Sequence, residues 1–131
     1  MSMSLEYKTV VAASRNRARL AAARRRYLDP RDVPVLLADA CDDHGWSVPA
    51  VEWARKETQD GVYYKEQNGK PARIRFSMLR PMSVNSVLHE LAHHALGGQE
   101  RDHRWHGSEF VATLDGLLAW YYLRLSEGGT P

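Results

Sequence analysis

Cysteine is almost absent from this chain, since Cys41 is the single example among 131 residues. One cysteine cannot close an intramolecular disulfide, and it cannot supply the several thiolates of a cysteine-based zinc site. Any metal that the chain binds must therefore use histidine and carboxylate ligands. We expect Cys41 itself to lie in the core rather than to act as a nucleophile.

Long apolar runs are also lacking. The longest strongly apolar run, residues 117–123, is far shorter than the roughly 20 residues that a membrane-spanning helix needs. Arg15, Arg17 and Arg19 interrupt any apolar core near the start of the sequence, so no secretory signal is predicted. These features predict a cytoplasmic protein that makes no use of a membrane.

Positive charge is concentrated in residues 1–31, which hold eight Lys and Arg against two acidic residues. Residues 5–28 contain no Gly or Pro and are rich in Ala, which predicts a helix covered with arginine. The simplest interpretation is a solvated helix face. The alternative is a surface that contacts the phosphates of nucleic acid.

The length fits one domain, residues 1–131. A second helix is predicted to begin at Asp29-Pro30-Arg31-Asp32 and to end at Gly45, which completes an N-terminal helical part over residues 1–45. Residues 46–125 form the predicted core of the domain, and residues 126–131 form a loose tail.

Three strands are predicted in the first half of this core, at residues 48–56, 61–67 and 72–78. Asn68-Gly69 lies between the second and the third and is a strong hairpin signal. The third strand alternates apolar and polar residues, which predicts one buried face containing Ala72, Ile74, Phe76 and Met78. We expect a small, mainly antiparallel, three-stranded sheet and an α+β fold.

The next helix carries the sequence His89-Glu90-Leu91-Ala92-His93, which has the form H-E-x-x-H. Ser83 is its predicted N-cap, and Gly97-Gly98 its predicted end. Two histidines four residues apart lie on one helix face and can bind one zinc ion. The glutamate projects at a different angle and can act as general base on a zinc-activated water, as in metallopeptidases.

A catalytic zinc usually has a third protein ligand. Five of the six histidines lie between residues 89 and 106, which supports a local site. His94 projects about 100° away from His93 around the helix, so it is a poor candidate, and Gln99 occupies the position where the metzincin pattern requires histidine. His103, His106 and Glu109 remain as candidates.

The sequence His106-Gly107-Ser108-Glu109-Phe110 opens the predicted last helix. An H-E-x-x-H helix followed by a polar loop and H-G-x-E-F resembles the SprT-like (Spartan-like) minimal zincins over roughly residues 48–125. The resemblance implies a zincin-like fold, one Zn²⁺ per chain held by His89, His93 and His106, and Glu90 as general base. It also implies that an extended polypeptide substrate pairs with the strand containing Ile74, Phe76 and Met78.

Two alternatives stay open. The first is a resemblance to peptidases that cleave repressors, in which a downstream glutamate is the third zinc ligand, here Glu109. The second is a non-catalytic domain that binds nucleic acid or another partner. If the chain is a peptidase, a second donor to the oxyanion is expected, and the candidates are Tyr63, Tyr64, His103 and Arg104.

Overall fold

A computed structural model describes residues 25–55, 60–78, 82–97 and 107–127 of the chain. Within these residues the chain forms three α-helices, a short 3-10 helix and a small mixed sheet, which confirms the α+β class. None of the helices in this part of the chain is long and apolar enough to cross a membrane.

The second predicted helix begins where the sequence indicates. Asp29 accepts a hydrogen bond from the backbone N–H of Arg31 (2.9 Å), and a 3-10 turn over Pro30–Asp32 leads into helix α1, Val33–His44. Gly45 ends the helix with φ +76°, a left-handed conformation that favours glycine. Cys41 is fully buried on this helix, as predicted.

The predicted helix over residues 5–28 is wrong at its C-terminal end. Tyr27–Leu28 is a short strand, β1, that pairs antiparallel with β5, Met82–Ser83. The backbone N–H of Val84 also donates to Arg26 O (2.8 Å). These tertiary hydrogen bonds outweigh the local helix propensity of the segment. Residues 1–24, which carry most of the predicted basic helix, lie outside the described residues.

The three predicted strands form one sheet, and they are β2 (Ala50–Ala54), β3 (Gly61–Tyr64) and β4 (Arg73–Ser77). Their order is β2-β4-β3, with β2 parallel and β3 antiparallel to β4. The sheet is therefore mixed, and the expectation of a mainly antiparallel sheet is wrong. The hairpin signal determined the pairing of β3 with β4, but no local signal determined the direction of β2.

The predicted turn at Asn68-Gly69 is confirmed. Both residues have positive φ, at 52° and 79°, and Gln67 pairs with Lys70 through two backbone hydrogen bonds. Two consecutive residues with positive φ are the mark of a type I′ turn, whose twist matches that of the flanking strands. The turn therefore fixes the register of β3 against β4.

The remaining helices are α2, Val84–Ala95, and α3, Ser108–Ser126. They pack with α1 and one face of the sheet around a common apolar core. Its fully buried side chains include Val33, Leu36, Leu37, Ile74, Phe76, Leu88, Leu91, Leu117, Leu118 and Tyr121. Polar contacts also join α1 to α3, because Trp120 donates to Asp43 (2.8 Å) and Arg124 pairs with Asp39. Of the predicted tail, residues 128–131 lie outside the described part.

Candidate active site

Helix α2 positions the H-E-x-x-H side chains. Ser83 caps its N-terminus, as predicted, by accepting a hydrogen bond from the backbone N–H of Ser86 (3.0 Å). The helix buries an apolar stripe against the core and ends at Ala95, two residues before Gly97, whose φ is +65°. The packing of this stripe fixes the rotation of the helix, and with it the directions in which the histidines project.

The rings of His89 and His93 lie side by side. Their centroids are 5.2 Å apart and their planes are inclined at 74°. Phe110, in the first turn of α3, contacts both rings, with centroid distances of 4.9 Å to His89 and 4.5 Å to His93. Phe110 is itself only 3% exposed. Helix α3 therefore supports the histidine pair through an aromatic side chain that the core holds in place.

The spacing of the two imidazoles fits a shared zinc ion. An ion about 2.0–2.1 Å from one nitrogen of each ring lies roughly 3.2 Å from each ring centroid. Centroids 5.2 Å apart then subtend an angle of about 110° at the ion, which is close to the tetrahedral angle that zinc adopts. Imidazole nitrogens are also among the donors that zinc prefers. The centroid spacing is therefore compatible with two ligand positions of one zinc site.

Glu90 is buried on the neighbouring stripe of α2, with 8% of its surface exposed. Burial raises the pKa of Glu90 to about 8, and the nearby carboxylate of Asp60 adds to this increase. A hydrogen bond from the backbone N–H of Tyr63 has the opposite effect on the pKa. One oxygen of this carboxyl group lies 4.0 Å from Nε2 of His89, so a titratable group with a raised pKa lies directly beside the histidine pair.

Strand β3 passes very close to Glu90. A Cβ added to Gly61 would lie 3.0 Å from Cγ of Glu90 and 3.1 Å from the ring of Phe76. A side chain at this position would require Glu90 or Phe76 to shift by a few tenths of an ångström, so the close approach of strand and helix favours glycine. Gly61 and the backbone of Tyr63 together define where the Glu90 carboxylate lies.

A chain of side-chain hydrogen bonds connects this strand to the start of α2. The hydroxyl of Ser86 donates to Asp60 Oδ2 (3.0 Å), and the hydroxyl of Ser83 donates to that of Ser86 (3.0 Å). Backbone bonding adds to it, since Ser77 N–H donates to Asp60 O (3.0 Å). The Asp60 carboxylate, which raises the pKa of Glu90, is thus held by Ser86 in the first turn of α2, and Ser86 is in turn bonded to the N-cap Ser83.

His94 projects away from the histidine pair, in agreement with the prediction from helical spacing. Its Nε2 lies 2.7 Å from Ser47 O, and its Nδ1 lies 3.3 Å from the hydroxyl of Tyr63. A carbonyl oxygen only accepts, so Nε2 carries a proton. In the neutral imidazole Nδ1 then accepts from Tyr63. His94 therefore connects α2 to β3 and to the segment after α1.

The candidates for the third ligand separate into two groups. His103 and His106 lie outside the described residues. Glu109 is exposed in the first turn of α3. Among residues 25–55, 60–78, 82–97 and 107–127, no three His, Cys, Asp or Glu side chains are placed to hold a metal together. The assignment of His106 therefore stays a prediction.

The predicted pairing of substrate with residues 74–78 does not fit the sheet. Strand β4 is the central strand, and both of its backbone edges are hydrogen-bonded, to β2 and to β3. Ile74 and Phe76 are fully buried in the core, whereas Met78, predicted to share their buried face, is 56% exposed. The alternation of apolar and polar residues correctly predicted a strand with a buried face. It could not show that both backbone edges of this strand would be paired with other strands.

Two of the four candidate oxyanion donors lie in the described part, and both are engaged elsewhere. Tyr63 contacts His94, with ring centroids 5.6 Å apart. The ring of Tyr64 lies under the guanidinium groups of Arg73 (4.5 Å) and Arg75 (5.3 Å). Consecutive strand residues face opposite sides of a sheet, so Tyr64 projects away from α2. His103 and Arg104 lie outside the described residues.

Two residues of this site were not predicted. The sequence predicts Phe110 as part of the apolar face of the last helix, but not as a support for the histidine pair, although its position in H-G-x-E-F placed it next to a candidate ligand. Gly61 offered the weaker signal of a glycine opening a strand, which often marks a close backbone approach. Comparison of the chain with protein-family models, with curated protein sequences and with solved structures finds no match.

Proposed function

We propose that this chain is a zinc-dependent metallopeptidase with a zincin-like fold similar to that of the SprT-like minimal zincins. The observation that supports this proposal most strongly is the arrangement on α2. His89 and His93 lie side by side at a spacing that fits one zinc ion, and Glu90 is buried beside them. Two ligands and an adjacent general base are the minimum apparatus for metal-assisted hydrolysis.

Zinc would be held by His89, His93 and a third ligand, for which we propose His106. When bound, zinc supplies Lewis acidity, which lowers the pKa of a water molecule and polarises a carbonyl group. Glu90 accepts a proton from the attacking water and returns it to the leaving amine. Burial favours the protonated form of Glu90, and a cation between the two histidines opposes that effect because it favours the carboxylate.

The substrate we propose is a polypeptide in extended conformation that passes along β3. This strand lies next to α2, and it brings Gly61 and Tyr63 to the general base. Strand β4 is separated from such a substrate because β3 occupies the edge nearest to Glu90. A peptide bond lying beside β3 would be within reach of both Glu90 and the histidine pair.

The proposal is tested by hydrolysis of an unfolded polypeptide such as denatured casein. We expect the full-length chain supplied with zinc to cleave it, and we expect a chelator to stop the cleavage. Glu90→Gln is the matched control, because it keeps the size of the side chain and removes the base. Cleavage by Glu90→Gln at the wild-type rate would contradict the role of this residue.

The third ligand is tested by the zinc content of two variants. His106→Ala should bind zinc much more weakly than the wild type, whereas Glu109→Ala should bind it normally. The reverse result would favour the alternative site in which Glu109 completes the ligand set, as in the repressor-cleaving peptidases. Circular dichroism of both variants shows whether a loss of zinc reflects the loss of a ligand or of the fold.

Contact with nucleic acid remains a separate prediction, based on the eight Lys and Arg of residues 1–31. Binding through phosphates should weaken steeply as the salt concentration rises. A fluorescence-anisotropy titration with a short labelled DNA at several salt concentrations measures this slope. No binding at low salt would leave the solvated helix face as the interpretation of this segment.

A further inference from the structure

A pocket of about 510 Å³ opens at the C-terminal end of α2, and its size is that of a ligand site. We call it the His94 pocket. It lies where the segment after α1, the end of β3 and the end of α2 meet. Its lining includes Trp46, Ser47, Tyr63, Lys65, Glu66 and His94. The three H-E-x-x-H side chains that carry the proposed chemistry are not part of this lining.

The His94 pocket is nevertheless close to the general base. Glu90 and His94 are four residues apart, so they lie on the same face of α2 about 6 Å apart along its axis. Tyr63 joins the two places directly, since its backbone N–H bonds Glu90 and its side chain lines the pocket. The pocket therefore begins about one helical turn from the proposed reaction centre.

This distance corresponds to about two residues of an extended peptide, which rises about 3.3 Å per residue. Side chains two positions apart in such a peptide project to the same side. A polypeptide passing along β3 can therefore place one side chain in the His94 pocket while a peptide bond two residues away lies beside Glu90.

The walls of the His94 pocket favour a positively charged side chain. Trp46 and Tyr63 contribute aromatic rings, a type of side chain that attracts cations, to the lining. One face of Trp46 is covered by His44, whose ring centroid lies 4.6 Å away. Ala95 is the last residue of α2 and Gly97 lies two residues beyond it, so the negative end of the helix dipole is at the pocket. The exposed rim residues Lys65 and Glu66 have opposite charges that cancel.

We propose that the His94 pocket binds the side chain of an arginine or lysine located about two residues from the scissile bond of the polypeptide substrate. The inference rests on the proposed peptidase function and adds a substrate class to it. Ala72 and Ala95 leave room in the lining for a long basic side chain. His94 bonds to both Ser47 and Tyr63, so these three lining residues hold one another in position.

The test is a cleavage-site profile of the full-length, zinc-supplied chain on a library of peptides from a denatured proteome. The new termini are identified by mass spectrometry. We expect arginine and lysine to be enriched severalfold at one position about two residues from the cleaved bond. Cleavage with no basic enrichment at that distance would overturn the pocket assignment alone. No cleavage above that of Glu90→Gln would contradict the proposed function, and the inference with it.

The rim charges provide a sharper test with two variants of opposite expected sign. The measurement compares kcat/KM for two peptides that differ only in having arginine or alanine at the enriched position. Glu66→Gln should reduce the preference for arginine about two- to fivefold, and Lys65→Gln should increase it by a similar factor, as for exposed charge pairs. Shifts in the same direction, or none, would overturn the proposal.

A third variant, Ala72→Phe, narrows the His94 pocket from the β4 side. We expect it to remove the preference for arginine over alanine, because the basic side chain no longer fits. A retained preference in a folded Ala72→Phe protein would contradict the assignment. If this variant does not fold, the two rim variants still decide the question.

Discussion

Two adjacent stripes of helix α2 differ in what supports them. The stripe of His89 and His93 packs against Phe110 at the start of α3. The stripe of Glu90 and His94 packs against β3, through the backbone of Gly61 and both the backbone and the side chain of Tyr63. The proposed ligands and the proposed base are therefore neighbours in sequence but are held by different parts of the fold.

This difference teaches that binding of zinc and transfer of protons should be separable by mutation. A change in the contact with α3 should act first on the affinity for zinc. A change in the contact with β3 should act first on the rate of hydrolysis. The four predictions below test this separation, beginning with the largest expected effect.

The first prediction compares two consecutive histidines. His93→Ala should abolish tight zinc binding, because a ligand is lost, whereas His94→Ala should retain it. His94→Ala instead loses hydrogen bonds to Ser47 and Tyr63, each of which contributes about 1 kcal/mol to stability. Zinc content and thermal unfolding of the two proteins measure these effects. Equal loss of zinc in both would show that the two stripes are not separate.

The second prediction concerns Phe110. Phe110→Ala should cost about 3–5 kcal/mol of unfolding free energy, as for other buried phenylalanines, and should also weaken zinc binding because both imidazoles lose their packing. Leu118→Ala is the control, since this side chain is equally buried about two turns further along α3. If the two variants lose zinc affinity in proportion to their stability, Phe110 has no special role.

The third prediction concerns the pH dependence of stability in the metal-free chain. The pKa of Glu90 is about 8 in the folded protein and near 4.5 when unfolded. Folding therefore favours the protonated form, and stability should fall as the pH rises from about 4.5 to about 8. Glu90→Gln should remove this fall and be more stable above pH 8 by a few kcal/mol, since a pKa difference of one corresponds to about 1.4 kcal/mol.

Urea unfolding of both proteins at several pH values, in the presence of a chelator, measures this difference. If the unfolding free energies of the wild type and Glu90→Gln change with pH in the same way, burial does not favour the protonated form of Glu90. The measurement requires no hydrolysis, so it examines the environment of the base independently of the proposed activity.

The fourth prediction compares two glycines. Gly61→Ala should cost about 1–3 kcal/mol, because the new methyl group crowds Glu90 and Phe76, and should reduce kcat about tenfold through displacement of the base. Gly116→Ala is the matched control, since open space surrounds its position in α3, and should be neutral or stabilising by up to about 1 kcal/mol. Loss of zinc in Gly61→Ala would contradict the separation.

Local signals in the sequence predicted local structure well. Asn68-Gly69 determined a hairpin, Ser83 a helix start and Gly45 a helix end, because each acts through its own backbone conformation or a bond to a near neighbour. The spacing of His89 and His93 likewise predicted their shared face, since helical geometry alone determines it.

Features that depend on distant parts of the chain were not predictable in this way. Strand β4 pairs in parallel with β2. The alternation of apolar and polar residues along β4 would be the same with or without this neighbour, so the sequence could not show that β4 is the central strand. Tyr27 and Leu28 form a strand instead of the predicted helix because they pair with Met82 and Ser83, which lie more than 50 residues away in the sequence. The role of Gly61 depends on a helix that begins at Val84.

The zinc content of Glu90→Gln, measured beside that of the wild type by mass spectrometry of the purified chains, tests the central claim most directly. A base held by β3 can be removed without disturbing ligands held by α3, so both proteins should contain about one zinc per chain. A wild-type chain that neither contains zinc nor takes it up would contradict the account. Zinc in the wild type but not in Glu90→Gln would show that Glu90 is itself a ligand.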